Sequence, residues 1–108
     1  MKYLITESQI DKLASMYLDN QDFIQIERGN IIFFVNSEGD EYAQIKFDKD
    51  DGWCGIYYNL IEEISAFFSM GYSDSKQVIS KWVENTLQMK VTNAEHGIIW
   101  NGSEVENI

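Results

Sequence analysis

A chain of 108 residues with 18 Asp and Glu against 8 Lys and Arg carries a net charge of -10, a surface that repels nucleic-acid phosphates and anionic lipid head groups alike. Apolar residues make up 44% and charged residues 24%, ordinary globular proportions that exclude disorder through a shortage of core-forming side chains. Cys54 is the single cysteine and closes no intramolecular disulfide, the opening Met1–Glu7 lacks a secretory h-region, and the longest apolar run, Ile31–Val35, is too short to span a bilayer, so the expectation is one cytoplasmic domain without membrane association.

Thr6 followed by Gln9 has the form of a capping box, with Ile5 and Ile10 placed as a hydrophobic staple. Ile10, Leu13, Ala14, Tyr17 and Leu18 then recur at three- and four-residue steps, which predicts a first helix ended by the polar run Asp19-Asn20-Gln21-Asp22. Phe23–Glu27 and Asn30–Val35, rich in β-branched and aromatic residues, flank Arg28-Gly29 and predict a hairpin. Past the polar turn Asn36–Asp40, Ala43, Ile45 and Phe47 alternate with Gln44, Lys46 and Asp48, giving a strand with one buried and one wet face. A second turn, Lys49–Gly52, leads into a strand over Trp53–Tyr58. Connections this short make the four strands an antiparallel meander, since parallel neighbours need a long crossover.

Asn59 and Glu62 form a second capping-box-like pair, opening a helix whose Leu60, Ile61, Ile64, Phe67 and Phe68 make one apolar face, with Gly71 as its left-handed closing residue. A third helix is predicted from Asp74, carrying Val78, Ile79, Trp82, Val83 and Leu87 inward. Val91-Thr92 or Ile98-Ile99-Trp100 reads as a short edge strand, and Asn101–Ile108 as a frayed tail. The predicted fold class is α+β: a four-stranded antiparallel meander sheet with the N-terminal helix and two C-terminal helices packed on one face.

Asp48, Asp50, Asp51 and Gly52 offer the oxygen donors and glycine bend of a calcium loop. The spacing fails, because an EF-hand count from Asp48 puts Gly52 at the third ligand, Trp53 at the glycine and Asn59 at the bidentate glutamate. The segment reads as a solvated acidic β-turn. His96, the only histidine, lies in Asn93–Gly97, which reads as a surface turn without the flanks of a serine or cysteine nucleophile. Cys54 reads as a small buried apolar residue. One Cys and one His leave a tetrahedral zinc site short of ligands. No catalytic, cofactor-binding or metal residue is assigned, no cofactor is called for, and the expected protein is not an enzyme.

Neighbouring carboxylates at Glu62-Glu63, Asp50-Asp51 and Asp40-Glu41 point in different directions along a helix or strand and do not converge on one reacting centre. Tyr42, Trp53, Tyr57 and Tyr58 form the ring set of an RNA-stacking sheet, but the charge opposes a phosphate backbone; one part of the set reads as core and the other as a protein contact. The feature with functional leverage runs from Glu38 to Asp51. There Glu38, Asp40, Glu41, Asp48, Asp50 and Asp51 outnumber Lys46 and Lys49, a local balance of -4 on two adjacent strand connections. Such a patch focuses a negative potential toward a basic partner; the plainer reading is a solubilising rim around apolar strands. These six carboxylates and Trp53 are the candidate partner-binding residues.

The opening Lys2-Tyr3-Leu4-Ile5-Thr6-Glu7-Ser8-Gln9, the β-rich middle, Phe67-Phe68 and the later Trp82-Val83-Glu84 together resemble a loose group of small uncharacterised proteins met in phage and environmental bacterial sequences. The resemblance implies a phage or mobile-element origin and supplies neither an activity nor a site residue. The expected function is non-enzymatic docking of an acidic or aromatic face on a host or partner protein. The alternatives are a DNA-mimic-like inhibitor of a nucleic-acid-binding protein and a virion or homo-oligomeric assembly component.

Overall fold

Residues 7–35 and 43–97 are described by the computed structural model. Helix α1 (Glu7–Asp19) precedes strands β1 (Ile24–Arg28), β2 (Ile31–Val35), β3 (Ala43–Asp48) and β4 (Trp53–Tyr57); helices α2 (Tyr58–Phe68) and α3 (Tyr72–Leu87) follow, and strand β5 (Asn93–Gly97) closes the described order. The strands form one sheet in the order β1-β2-β3-β4-β5. The first four pair antiparallel, and β5 pairs with β4 in parallel.

Alternation along the strands decides where the core sits. Ile32, Phe34, Ile45, Phe47, Cys54 and Ile56 face the helices and are buried against Leu18, Leu60, Ile61, Ile64, Ile79, Trp82 and Val83. At one end of this core three rings interlock, with Phe34 5.4 Å from Trp82 and 6.2 Å from Phe23. The Trp82 indole Nε1–H donates to Asp19 Oδ1 at 2.9 Å, which ties α3 to the last residue of α1. Between α2 and α3 the Ser65 and Ser75 hydroxyls lie 2.7 Å apart, and Ser75 also donates to the Gly71 carbonyl. The opposite face of the sheet carries a smaller cluster of Phe33, Val35 and Ala43, with Ile26 and Ile31 beside it and the Lys46 ammonium 5.8 Å from the Phe33 ring centroid. A register shift between Phe34 and Val35 sets Ala43 opposite Val35.

The α+β class, the meander and the three helices stand as the sequence predicts, but the sheet has a fifth strand. Its residues, Asn93–Gly97, are those read as a surface turn, whereas Val91-Thr92 is not strand and Ile98–Trp100 and the tail fall outside the described residues. The strand is parallel because α2 and α3 supply the crossover that a parallel pair requires. Trp53 pairs with Asn93 and Ile56 with His96, so backbone pairing along β4 organises a segment whose only apolar side chain is Ala94.

Three helix ends also differ. Tyr58 belongs to α2 and not to β4; the strand runs straight into the helix through Tyr57 at φ -63, ψ 135, and no side chain caps it, so Asn59 lies inside the first turn. Ser69, at φ 52, takes the left-handed position expected of Gly71. Gly71, at φ -69, ψ 163, is the extended residue that opens α3, which therefore begins before Asp74. The capping residue Thr6 lies outside the described residues.

Candidate functional site

The tightest local constraint is the β3–β4 connection. Gly52 sits at φ +76, and a Cβ there would lie 2.8 Å from the Lys90 carbonyl oxygen and 2.9 Å from Thr92 Oγ1. Only glycine fits both the dihedral and the space. Its N–H donates to the Asp48 carbonyl at 2.9 Å, and its own carbonyl accepts the Thr92 N–H at 2.9 Å. The Thr92 hydroxyl donates to the Asp51 carbonyl. The turn is thereby fixed to the segment that enters β5.

The acidic side chains shape the same turn. Asp48 Oδ1 accepts the Asp50 N–H at 2.9 Å, Asp51 Oδ1 accepts the Trp53 N–H at 3.0 Å, and Asn30 Nδ2 donates to Asp50 Oδ2 at 2.7 Å. Lys49 donates its N–H to the Asn30 carbonyl at 2.8 Å, and its ammonium pairs with Glu27. The β1–β2 and β3–β4 connections therefore form one continuous end of the sheet. Carboxylates that cap a turn keep further lone pairs for a second donor. Asp50 and Asp51 are exposed there, and Asp48 is half-buried.

Of the candidate residues, the structure brings Asp48, Asp50 and Asp51 together beside Trp53, the half-buried first residue of β4. Glu38, Asp40 and Glu41, like Tyr42, lie outside the described residues. Glu62 and Glu63 stay exposed on α2, where Glu63 accepts the Tyr17 hydroxyl. At the other end of β5, the rings of Tyr58, Tyr72 and His96 meet at 5.6–6.0 Å between centroids. Among the described residues no group meets hydrogen-bond geometry with the buried Tyr72 hydroxyl, and burial foremost, with the nearby Tyr58 and Glu62 adding, pushes its pKa up. Among the described residues no group of three or more His, Cys, Asp or Glu side chains is placed to hold a metal ion. None of the described helices is long and apolar enough to cross a membrane.

Cys54 is fully buried on the helix-facing side, and burial pushes its thiol from 9.0 up to about 12. The neutral thiol is neither nucleophile nor metal ligand near neutral pH. Burial foremost, then the bond to Glu63, likewise raises Tyr17 from 10.0 to about 12. A group whose folded pKa is raised holds its proton longer folded than unfolded, so its contribution to stability is complete below the unfolded pKa and is lost as pH climbs toward the folded one. The urea midpoint is expected to fall as pH rises from about 9 to about 12, and Cys54→Ala is expected to flatten that fall without abolishing it. An unchanged slope in the variant contradicts the buried thiol.

The sequence pattern did not single out Leu13, Met16 and Phe67 as surface residues, yet they are 44%, 53% and 65% exposed. Phe67 was expected on the inner face of α2. No local signal separated Phe67 from Phe68, since adjacent pairs such as Leu60-Ile61 on the same helix are both buried. Phe68 packs on the core while Phe67 lies outside it, 4.8 Å from the Tyr17 ring. Comparison with known proteins returned no match: no family model, no curated protein and no solved structure is similar to the chain.

Proposed function

We propose that this chain is a non-enzymatic, cytoplasmic interaction protein, phage-encoded as its resemblance implies, which presents the acidic turn end of its sheet to a basic host or partner protein. The observation that carries the reading is the fixed Asp48–Gly52 turn, which holds Asp50 and Asp51 at an exposed end before any partner arrives. Preorganised carboxylates lose little conformational freedom on binding and steer a basic surface into register. Trp53 supplies an aromatic contact beside them, whereas Glu38, Asp40 and Glu41 belong to the connection between Val35 and Ala43, which joins β2 and β3 at the end opposite this turn. In its sharper form the turn occupies the phosphate groove of a nucleic-acid-binding protein, as a DNA mimic does. The protein itself then binds neither nucleic acid nor membrane, and needs no cofactor.

The test compares two pairs of neutralised carboxylates in capture of host proteins on the immobilised chain. Asp50→Asn with Asp51→Asn is expected to weaken retention of the specific partner at least about tenfold, and Glu62→Gln with Glu63→Gln by far less. Equal losses from both pairs would sink the reading.

A second reading, a homo-oligomeric assembly component, is favoured by β1. It is the terminal strand of the described sheet, and Ile24 on it is 46% exposed. Such an edge is a template for a second copy. Light scattering over a dilution series separates the two: a dimer or ring that survives dilution supports assembly, and a monomer supports the docking protein.

A further inference from the structure

The helix layer carries a second surface of different chemistry. Ile10, Leu13 and Tyr17 follow one another along a single side of α1 at three- and four-residue steps, with Met16 next to them. Tyr17 brings that side against Phe67 on α2. Where the first turns of α1 cross the α2–α3 junction there is a crevice of about 240 Å³, floored by Ile10, Met70 and Val78 and edged by Asp11, Asp74 and Lys81. Lys81 is held by Asp11 at 2.9 Å, while Asp74 in the first turn of α3 is exposed. Glu63 lies beside Tyr17 at the other end of the row. An apolar track therefore runs from the crevice past Leu13 to Phe67 and Met16, with carboxylates at both ends.

Ile10 to Tyr17 spans about 10 Å along the helix axis, the length over which a partner helix presents apolar residues at i, i+3 or i+4, and i+7. A second copy of the chain would bring another charge of -10 to the same track, which like-charge repulsion opposes. The complementary occupant is cationic. We propose that the α1–α2–α3 seam docks a basic amphipathic helix of a partner protein, with one apolar side chain in the Ile10–Met70–Val78 crevice, further apolar contacts on Leu13, Met16 and Phe67, and Lys or Arg residues facing Asp74 and Glu63. This surface is separate from the acidic turn, and either can fail without the other.

The full chain, carbon-13 labelled at its methionine methyls, reports the docking directly, since Met16 and Met70 sit on the track and Met89 follows α3. The probe is a short helical Leu/Lys amphipathic peptide, with its Leu/Glu counterpart as control. The expected result is that the Leu/Lys peptide shifts the Met16 and Met70 signals and leaves Met89 in place, while the Leu/Glu peptide shifts none of them. Phe67→Ala, at an exposed position that leaves the core intact, is expected to weaken the peptide about tenfold or more, and Asp50→Asn with Asp51→Asn to leave it unchanged. An unmoved Met70 signal, a Met89 shift as large as that of Met70, or a loss at the turn variants equal to that at Phe67→Ala would overturn the proposal.

Discussion

Replacing Phe34 with alanine is expected to destabilise the protein by about 3–5 kcal/mol, the range for truncating a large aromatic side chain in a packed core. Phe34 is fully buried in the middle strand pairing of β1, β2 and β3, and it contacts both Phe23 and Trp82. Truncation removes the ring that these two share and opens a cavity between the sheet and α3, where Trp82 is also held by Asp19. Helix α1 is joined to α3 through that bond, so the loss spreads to the N-terminal helix. Urea denaturation measures the effect as a lower midpoint. A loss below about 1 kcal/mol would mean that the interior is not closed around this ring.

The Gly52→Ala variant tests the turn end. The positive φ costs an L-residue about 1–2 kcal/mol, and a Cβ 2.8 Å from a backbone carbonyl forces the Lys90–Thr92 segment outward. A total of roughly 2–5 kcal/mol follows when strain and overpacking are added. Gly29 is the internal control, with φ +60 and nothing within 4 Å of its Cβ position. Gly29→Ala is expected to cost only the dihedral part, about 1–2 kcal/mol. The gap between the two variants isolates the contact that fixes the acidic turn against β5. If both cost the same, the turn is not clamped and its carboxylates are not preorganised.

The contrast between these two glycines also marks how far the sequence was legible. Both fall between strands, and the hairpin and β3–β4 turn are read from them directly, as Ile45 and Phe47 are read as a buried face; Ala43, expected beside them, packs on the opposite face with Phe33 and Val35 because the register shift at Phe34/Val35 turns it over. Which glycine is sterically locked depends on Lys90 and Thr92, far along the chain, and no local pattern carries that information. The fifth strand was hidden for the same reason: Asn93–Gly97 has no alternation, and its strand state comes from the paired edge of β4 once α2 and α3 have turned the chain back. Gly71 departs from the role its position suggests because a left-handed closing residue and an extended opening residue both suit glycine, and Ser69 accepts the left-handed position instead.

At the candidate site, the clustering of Asp48, Asp50 and Asp51 was legible from spacing alone. Their double duty as caps of their own turn was not, although Asp in a β-turn often hydrogen-bonds a backbone N–H two residues on, as Asp48 does with Asp50 and Asp51 with Trp53. The apolar track on the helices was obscured by periodicity itself. A stripe of Ile10, Leu13, Ala14, Tyr17 and Leu18 is wider than the face that α1 buries, so Ala14 and Leu18 reach the core while Leu13 stays outside.

The central claim, that a preorganised acidic end recognises a basic protein, is tested most directly by the salt dependence of capture. The immobilised chain is incubated with host lysate at low and at high salt, alongside the Asp50→Asn, Asp51→Asn variant. The account predicts a discrete partner retained at low salt, released at high salt, and missing from the variant at both. A partner held equally by the chain and its variant, at either salt concentration, would contradict it.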